Sequence, residues 1–235
     1  MPPRKKPYLE RKIRQWRRHA FADMERPLAR AAAWCDMLLL DHGFIRAIYS
    51  NRHQLGPGIE RASQPSPGRI ATAAKRGVRT IVNLRGACDL GSYALEKRAC
   101  RQQGVTLVDF RLRSRRLPKR EQILDARNLF AQIEYPALIH CKSGADRAGM
   151  MGALYRIFQH DEPVTQAMQQ LGLKYGHVRA SNTGMLDFLF SSFLASGEDS
   201  FLAWVENTYQ PKELEKQFRP NGWMAWFVDG VLRRE

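Results

Sequence analysis

Acidic residues are scarce in this chain of 235 residues. Asp and Glu number 23 against 38 Lys and Arg, which leaves a formal net charge of +15. A balance this basic favours an anionic partner or substrate, such as a polyphosphorylated molecule, an acidic lipid surface or nucleic acid. The remaining composition is that of a globular protein, and the length suits one sizeable domain with extensions or two small ones.

Long apolar runs are also missing. No stretch approaches the roughly 18–20 apolar residues that a membrane span needs. The basic N-terminus lacks the apolar core and the small-residue cleavage site of a secretory signal. The four cysteines form no CxxC pair, so we expect no zinc site, no other metal and no cofactor.

The most informative segment runs from His140 to Ala148, with the sequence HCKSGADRA. A branched apolar run precedes it and a helix-like run follows it, so the pattern predicts a strand, a tight loop and a helix. The first N–H groups of a helix lack intrahelical partners and carry partial positive charge, so a loop closing onto them suits phosphate. A thiol at the bottom of that loop is stabilised as the thiolate and can attack phosphorus.

Cys-x5-Arg preceded by His resembles the signature of the cysteine-dependent phosphatases, the protein tyrosine and dual-specificity superfamily. The resemblance implies that Cys141 takes the phosphoryl group and that Arg147 clamps two equatorial oxygens. We call residues 141–147 the signature loop. His140 would orient this loop, and contacts to the substrate are expected from five residues: His140, Lys142, Ser143, Gly144 and Ala145. Because a nucleophilic thiol must stay reduced, we expect a cytoplasmic protein, with peripheral attachment to the inner face of a membrane as an alternative.

Strand and helix patterns alternate along the middle of the chain. Short strands are predicted at 59–62, 79–84, 105–110 and 137–140, and helices at 67–75, 92–103, 118–133, 148–159 and 163–171. This alternation indicates an α/β fold with a central, largely parallel sheet flanked by helices. The family resemblance, which extends from about Ile59 to about Leu194, implies the same fold. We predict a basic helical N-terminal extension (1–55), a phosphatase domain (56–197) and a helical C-terminal extension (198–235), with a turn or linker at 55–58.

The leaving group of such a reaction must be protonated, and two carboxyl groups are candidates. Asp109 ends a predicted strand 32 residues before Cys141, a position similar to that of the acid in dual-specificity phosphatases. Asp146 lies in the signature loop, which resembles the GxDR-type loop of bacterial and lipid-directed phosphatases, where this Asp is thought to serve as the acid. We favour Asp146, because four nearby Arg side chains would keep Asp109 ionised. The alternatives are an ion pair of Asp109 with Arg111 or Arg113, and a loop-stabilising salt bridge of Asp146.

Ala148 departs from the family pattern, because Ser or Thr usually follows the Arg and donates a hydrogen bond to the Cys. Without that hydroxyl the thiolate is less stabilised, and we expect slower turnover. A scaffold that binds phosphate without hydrolysing it efficiently is therefore an alternative function.

Basic residues are concentrated between 97 and 127, where Arg111, Arg113, Arg115 and Arg116 lie close together. The order of elements along the chain in this family implies that the segment rims the pocket. Arg113 and its neighbours would then join Lys142 in binding a substrate with several negative groups. A Lys in the signature loop is similar to the lipid-phosphate branch of the superfamily. The expected substrates are therefore a phospholipid or an inositol phosphate, besides a phosphoprotein. A solvated basic face is the competing interpretation.

An RNA 5′-triphosphatase on the same scaffold would also fit the charge. The sequence contains no aromatic-basic RNA motif that supports it, so we do not expect nucleic acid as a partner.

Both ends of the chain carry features that suit an anionic membrane surface. The basic pattern from Tyr8 to Tyr49 is helical and amphipathic. Near the C-terminus, aromatic residues lie beside cations; these residues are Trp204, Trp223, Trp226, Phe227, Arg219, Arg233 and Arg234. Packing against the core is the competing interpretation of both segments.

Three further residues lie in segments that could border the pocket. Gln64 and His177 are weaker candidates for the site. Cys88 is expected to be a buried inert thiol, although related enzymes can protect their catalytic thiolate through a disulfide to such a Cys.

Overall fold

A computed structural model of the protein describes residues 8–219. Within that range five strands form one sheet: β1 (His53–Gly56), β2 (Ile59–Ser63), β3 (Thr80–Asn83), β4 (Thr106–Asp109) and β5 (Ala137–Cys141). Their spatial order is β1-β2-β5-β3-β4. Strand β1 runs antiparallel to β2, and all other neighbours are parallel. The predicted α/β class with a largely parallel sheet is confirmed.

Helices surround this sheet and fill both ends of the described chain. They are α1 (Tyr8–Ala20), α2 (Pro27–Cys35), α3 (Gly43–Ile48), α4 (Pro67–Lys75), α5 (Gly91–Gln103), α6 (Arg120–Gln132), α7 (Asp146–His160), α8 (Val164–Ala167), α9 (Met185–Ser196), α10 (Phe201–Asn207) and α11 (Pro211–Gln217). A π-helical turn, Asp36–Leu40, follows α2, and 3₁₀ turns lie at Met168–Gln170, Leu173–Tyr175 and Asn182–Gly184.

The sheet is covered on both faces, so every residue of β2, β3 and β5 is buried. Successive side chains of a strand point to opposite faces. Accordingly, Ile81 and Leu138 belong to a cluster with α4 and α5. Val82 and Ile139 belong to a larger cluster with α6, α7, α9 and α10. The central strand β5 therefore delivers its last residue, Cys141, to the carboxyl edge of the sheet with the backbone fixed on both sides.

The N-terminal helices pack against the sheet domain through α5. Gly91 begins α5, and a Cβ there would collide with the carbonyl of Ala33 in α2. The backbone N–H of Gly91 donates to Asp36 Oδ2 at 2.7 Å, and Arg17 of α1 pairs with the same carboxylate. The three-part division stays a prediction; its first boundary, between 55 and 56, falls inside β1.

Two predicted elements differ from the observed ones. The stretch 55–58, predicted to be a turn or linker, is a turn only at residues 57–58, because Leu55 and Gly56 belong to β1, which pairs with β2. The helix predicted at 163–171 is shorter, because α8 gives way to a 3₁₀ turn at Met168. The helical pattern predicted from Tyr8 to Tyr49 is present as α1, α2, the π-helical turn and α3.

Trp204 corrects the membrane interpretation of the C-terminal aromatic residues. It is buried and packs against Phe193, Phe201 and Tyr209, so it belongs to the core. The remaining aromatics of that expectation (Trp223, Trp226 and Phe227) and the pair Arg233–Arg234 lie outside the described residues. None of the helices within 8–219 combines the length and apolar character that crossing a bilayer requires.

Candidate active site

The signature loop connects the end of β5 to the start of α7, as the sequence predicts. Cys141 is buried at its base, where its Sγ accepts a hydrogen bond from the Gly144 N–H at 3.2 Å. Gly144 has a φ of +75°, and a Cβ there would lie 2.7 Å from the backbone of Ala62 and Ser63. Only glycine fits this turn without moving β2 or the loop.

A buried arginine holds the far side of the loop. Arg61 of β2 is fully buried and donates to the carbonyls of Gly144 and Ala145, both at 2.7 Å. Its guanidinium also lies 4.3 Å from the centre of the Tyr175 ring. Burial lowers the pKa of Arg61 to about 10, so it stays charged at neutral pH. Asn51 adds a third support, since its amide donates to the carbonyl of Ser143 at 2.9 Å.

These contacts take up three consecutive loop carbonyls, at residues 143, 144 and 145. A loop whose carbonyls are bound from behind is left with its N–H groups and the α7 N-terminus for an anion. The arrangement is therefore prepared to bind phosphate before any substrate arrives.

His140 lies behind the loop and not in the cleft. Its ring is fully buried, with Nε2 2.6 Å from Glu96 Oε1. Gln64 donates to the other oxygen of Glu96 at 2.8 Å. His140 is therefore placed to orient the loop. Its ring is too deeply buried to make the substrate contact expected from the sequence.

An open cleft of about 970 Å³ lies in front of the loop. Its wall includes Lys142 and Arg147 from the loop and the predicted arginine cluster, Arg113 included. The basic residues that line it are Arg17, Arg85, Arg111, Arg113, Arg115, Arg116, Lys142 and Arg147. Two acidic residues, Glu10 and Asp41, lie among them, so the cleft is strongly electropositive.

Asp41 comes from the N-terminal extension and organises these cations. Arg85 binds both of its carboxylate oxygens, at 2.8 and 2.9 Å, and Arg46 binds one at 2.8 Å. Lys142 Nζ lies 3.7 Å away. Burial alone would raise the pKa of Asp41, but the charges of Arg85, Arg46 and Lys142 outweigh it and lower the pKa to about 2. This carboxylate stays ionised and is no proton donor.

Neither of the two predicted acids lines the cleft wall, but Asp146 directly precedes Arg147, which does. Asp109 accepts hydrogen bonds from Asn83 Nδ2 at 2.8 Å and from the Tyr93 hydroxyl at 2.5 Å. Asp146 is buried as the first residue of α7, next to Arg147, and its Oδ1 lies 2.7 Å from His177 Nδ1.

His177 bridges two carboxylates. Its Nε2 lies 2.5 Å from Asp187 Oδ2, and Arg179 donates to the other oxygen of Asp187. Burial lowers the pKa of His177, but the hydrogen bonds with Asp146 and Asp187 outweigh it and raise the pKa to about 9. At neutral pH His177 is therefore a buried imidazolium that donates from both nitrogens.

Ala148 and the remaining cysteines complete the surroundings of the thiol. Ala148 is fully buried in α7, and its side chain is a methyl group that carries no hydroxyl. All four cysteines are free thiols, and Cys88 lines the cleft half-buried. Burial raises the pKa of Cys88. Across residues 8–219, no group of three or more His, Cys, Asp and Glu side chains is placed to hold a metal ion.

The fold and this loop define a cysteine-dependent phosphatase of the protein tyrosine and dual-specificity type. A family model described as "DSP-PTPase phosphatase fused to NAD+ kinase" matches residues 56–185, and the chain belongs to that family. It is a phosphoric monoester hydrolase by class, as the sequence predicts. A comparison with curated proteins found no significant match.

Solved structures are similar to this chain at low sequence identity. TpbA of P. aeruginosa is 19% identical, with 67% of this chain and 92% of that chain covered and a TM-score of 0.49. The core catalytic domain of the PP-IP phosphatase SIW14 from S. cerevisiae, solved with citrate, is 17% identical. There 59% of this chain and 85% of that chain are covered, with a TM-score of 0.50.

Proposed function

We propose that the protein hydrolyses phosphomonoesters through a phosphocysteine at Cys141, and that its substrate is the phosphorylated headgroup of a phospholipid or an inositol phosphate. One observation carries the proposal. The loop that holds the Cys141 thiol at its base contributes Lys142 and Arg147 to a cleft whose wall contains eight Lys and Arg side chains and two acids. A single phosphate needs few of these charges, whereas a substrate with several negative groups uses them.

The reaction follows from the residues around the thiol. The Cys141 thiolate attacks phosphorus, so that an S–P bond forms while the P–O bond to the leaving group breaks. Arg147 and the loop N–H groups stabilise the equatorial oxygens as negative charge develops on them. Water then attacks phosphorus, and the S–P bond breaks to regenerate the thiolate. The proton that the water loses goes to the group that protonated the leaving oxygen, and inorganic phosphate leaves.

The leaving oxygen needs a proton, and we assign the donor to Asp146 acting with His177. The proton resides on His177 Nδ1, 2.7 Å from Asp146. As the P–O bond breaks, Asp146 gives a proton to the leaving oxygen and takes one from His177. Asp109 is the alternative donor, but its two carboxylate oxygens are occupied by Asn83 and Tyr93.

Release of phosphate from p-nitrophenyl phosphate is the first test. We expect vanadate-sensitive release by the wild type and none by Cys141→Ser. In pH–rate profiles, the variant that removes the true acid should lose the basic limb and most of kcat, so Asp146→Asn is compared with Asp109→Asn. The assignment to Asp146 is wrong if Asp146→Asn keeps the basic limb.

Substrate class is tested with a panel of a phosphotyrosine peptide, a phosphorylated lipid in vesicles and an inositol polyphosphate. Arg113→Gln should lower kcat/KM for the multiply charged substrates by about tenfold, the value of one charge-assisted hydrogen bond, and change p-nitrophenyl phosphate hydrolysis little. Lys75→Gln is the matched control, because it removes an exposed charge at the end of α4, outside the cleft wall. The substrate assignment would be contradicted if Arg113→Gln and Lys75→Gln changed kcat/KM for the multiply charged substrates equally.

Ala148 favours a second candidate, a phosphate-binding protein with little hydrolysis. Its buried methyl group cannot donate the hydrogen bond that helps the thiolate leave. The phosphate-binding function is indicated if the wild type binds vanadate but releases no phosphate from any member of the panel.

A further inference from the structure

An exposed apolar patch borders the electropositive cleft. Leu39, Leu40 and Phe44 are 70%, 57% and 55% exposed, within a short stretch where the π-helical turn leads into α3. Leu40 and His42 line the cleft itself, and the rings of His42 and Phe44 are in edge contact at 6.3 Å. Single exposed apolar residues are ordinary, but a group of them at the mouth of a functional cleft marks an interaction surface.

The chain holds this patch in place with two buried carboxylates. Asp36, at the start of the turn, binds Arg17 and the N–H of Gly91. Asp41, directly after Leu40, binds Arg46 and Arg85. Because both ends of the turn are tied to the core, Leu39 and Leu40 stay at the surface, and their exposure is built into the fold.

Charge decides what the patch contacts. Arg111, Arg113 and Arg116 are exposed on the wall of the same cleft. Apolar side chains beside a group of arginines match an anionic bilayer, where the apolar groups enter the interface and the arginines meet lipid phosphates. An acidic protein surface would use the arginines but would leave the leucines without apolar partners.

We propose that Leu39, Leu40 and Phe44 dock the mouth of the cleft on an anionic lipid bilayer, so that a phosphorylated headgroup enters the cleft directly from the membrane. This inference rests on the proposed phosphatase function and adds the source of its substrate, a membrane lipid instead of a free inositol phosphate. It also assigns the N-terminal extension a role in presenting substrate.

Vesicle binding tests the docking surface apart from catalysis. The full-length protein is sedimented with vesicles of phosphatidylcholine, alone or with about a third phosphatidylglycerol. We expect binding only to the anionic vesicles, and about a tenfold loss of partitioning for Leu39→Ser and for Phe44→Ser. Leu28→Ser is the matched control, because Leu28 is 85% exposed in the same extension but lies in α2, outside the stretch 39–44 that forms the patch. Every variant keeps all basic residues, so the difference between variants isolates the patch.

Hydrolysis of soluble and of vesicle-bound substrates distinguishes a docking role of the patch from a role in catalysis. Leu39→Ser and Phe44→Ser should retain wild-type hydrolysis of p-nitrophenyl phosphate and of a soluble inositol phosphate, while hydrolysis of a phosphorylated lipid in vesicles falls about as much as partitioning. The inference is overturned if the two variants bind anionic vesicles as the wild type does, or if the Leu28 control loses as much. Absence of p-nitrophenyl phosphate hydrolysis in the wild type would refute the proposed function alone, since vesicle binding is measured without turnover.

Discussion

Replacement of His177 by Gln tests the contact between the signature loop and the rest of the domain. His177 is completely buried between Asp146 and Asp187, and Asp146 precedes Arg147 in the chain. The glutamine side chain of the variant can still donate one hydrogen bond but carries no charge. We therefore expect His177→Gln to have a lower free energy of unfolding, by the amount that the charged imidazolium contributes, and a lower kcat.

The magnitude follows from the pKa of His177, which rises from 6.5 to about 9 on folding. At about 1.4 kcal/mol for each pKa unit, the protonated ring contributes about 3 kcal/mol to the free energy of unfolding. Because the pKa is raised in the folded state, this contribution is fully present below about pH 6.5. It decreases as the pH rises and is gone above about pH 9.

Urea unfolding of the wild type and His177→Gln at several values between about pH 6 and about pH 9.5 measures this dependence. The difference in unfolding free energy between the two proteins should shrink by about 3 kcal/mol across that window. His19→Gln, which changes an exposed residue of α1, is the control and should change the unfolding free energy little. A difference for His177→Gln that is equal at both ends of the window would refute the reasoning.

Three further variants test other parts of the site. Asp41→Asn should lower the unfolding free energy by about 2 kcal/mol at pH 7, more than the exposed control Asp23→Asn. Since the pKa of Asp41 is lowered from 3.8 to about 2, this effect should fade as the pH drops from about 4 to 2. Wild-type stability of Asp41→Asn at pH 7 would contradict the prediction. Gly144→Ala should lower kcat/KM by about 100-fold because the loop must move, whereas Gly104→Ala, with a φ of +65° and nothing within 4 Å, strains the backbone without affecting turnover. Arg61→Lys should lower kcat and destabilise the protein by about 2 kcal/mol in thermal unfolding, because a lysine cannot bind both loop carbonyls; wild-type activity would show that the carbonyls need no such support.

The sheet was predictable because its signals are local. Four of its strands and the helices between them follow from apolar periodicity, and the signature loop follows from one short motif. Strand β1 was missed because it ends in a Gly-Pro-Gly sequence typical of turns. In the protein Pro57 and Gly58 form the turn of a hairpin whose first strand, at residues 53–56, carries little apolar pattern. Pairing with β2, a tertiary effect, creates that strand.

The motif drew attention to one loop and to nothing that approaches it from other elements. The Cys-x5-Arg pattern singled out Cys141, Arg147 and the Lys142 between them, and the concentration of charge singled out Arg113; the roles expected of these residues stay predictions. Arg61, Asn51 and Asp41 were missed because they approach the loop from other elements, at sequence distances that no motif encodes. Arg61 did carry a signal, since it lies inside the strand predicted at 59–62, and a charged residue that a sheet buries needs a specific partner.

A rapid-mixing experiment with excess p-nitrophenyl phosphate tests the phosphocysteine at Cys141 most directly. We expect a burst of p-nitrophenol approaching one equivalent per protein, followed by slower turnover because Ala148 offers no hydroxyl to assist breakdown of the phosphocysteine. Acid-quenched protein should carry phosphate on Cys141, and Cys141→Ser should show neither burst nor label. Turnover by Cys141→Ser, or phosphate attached to another residue, would contradict the account.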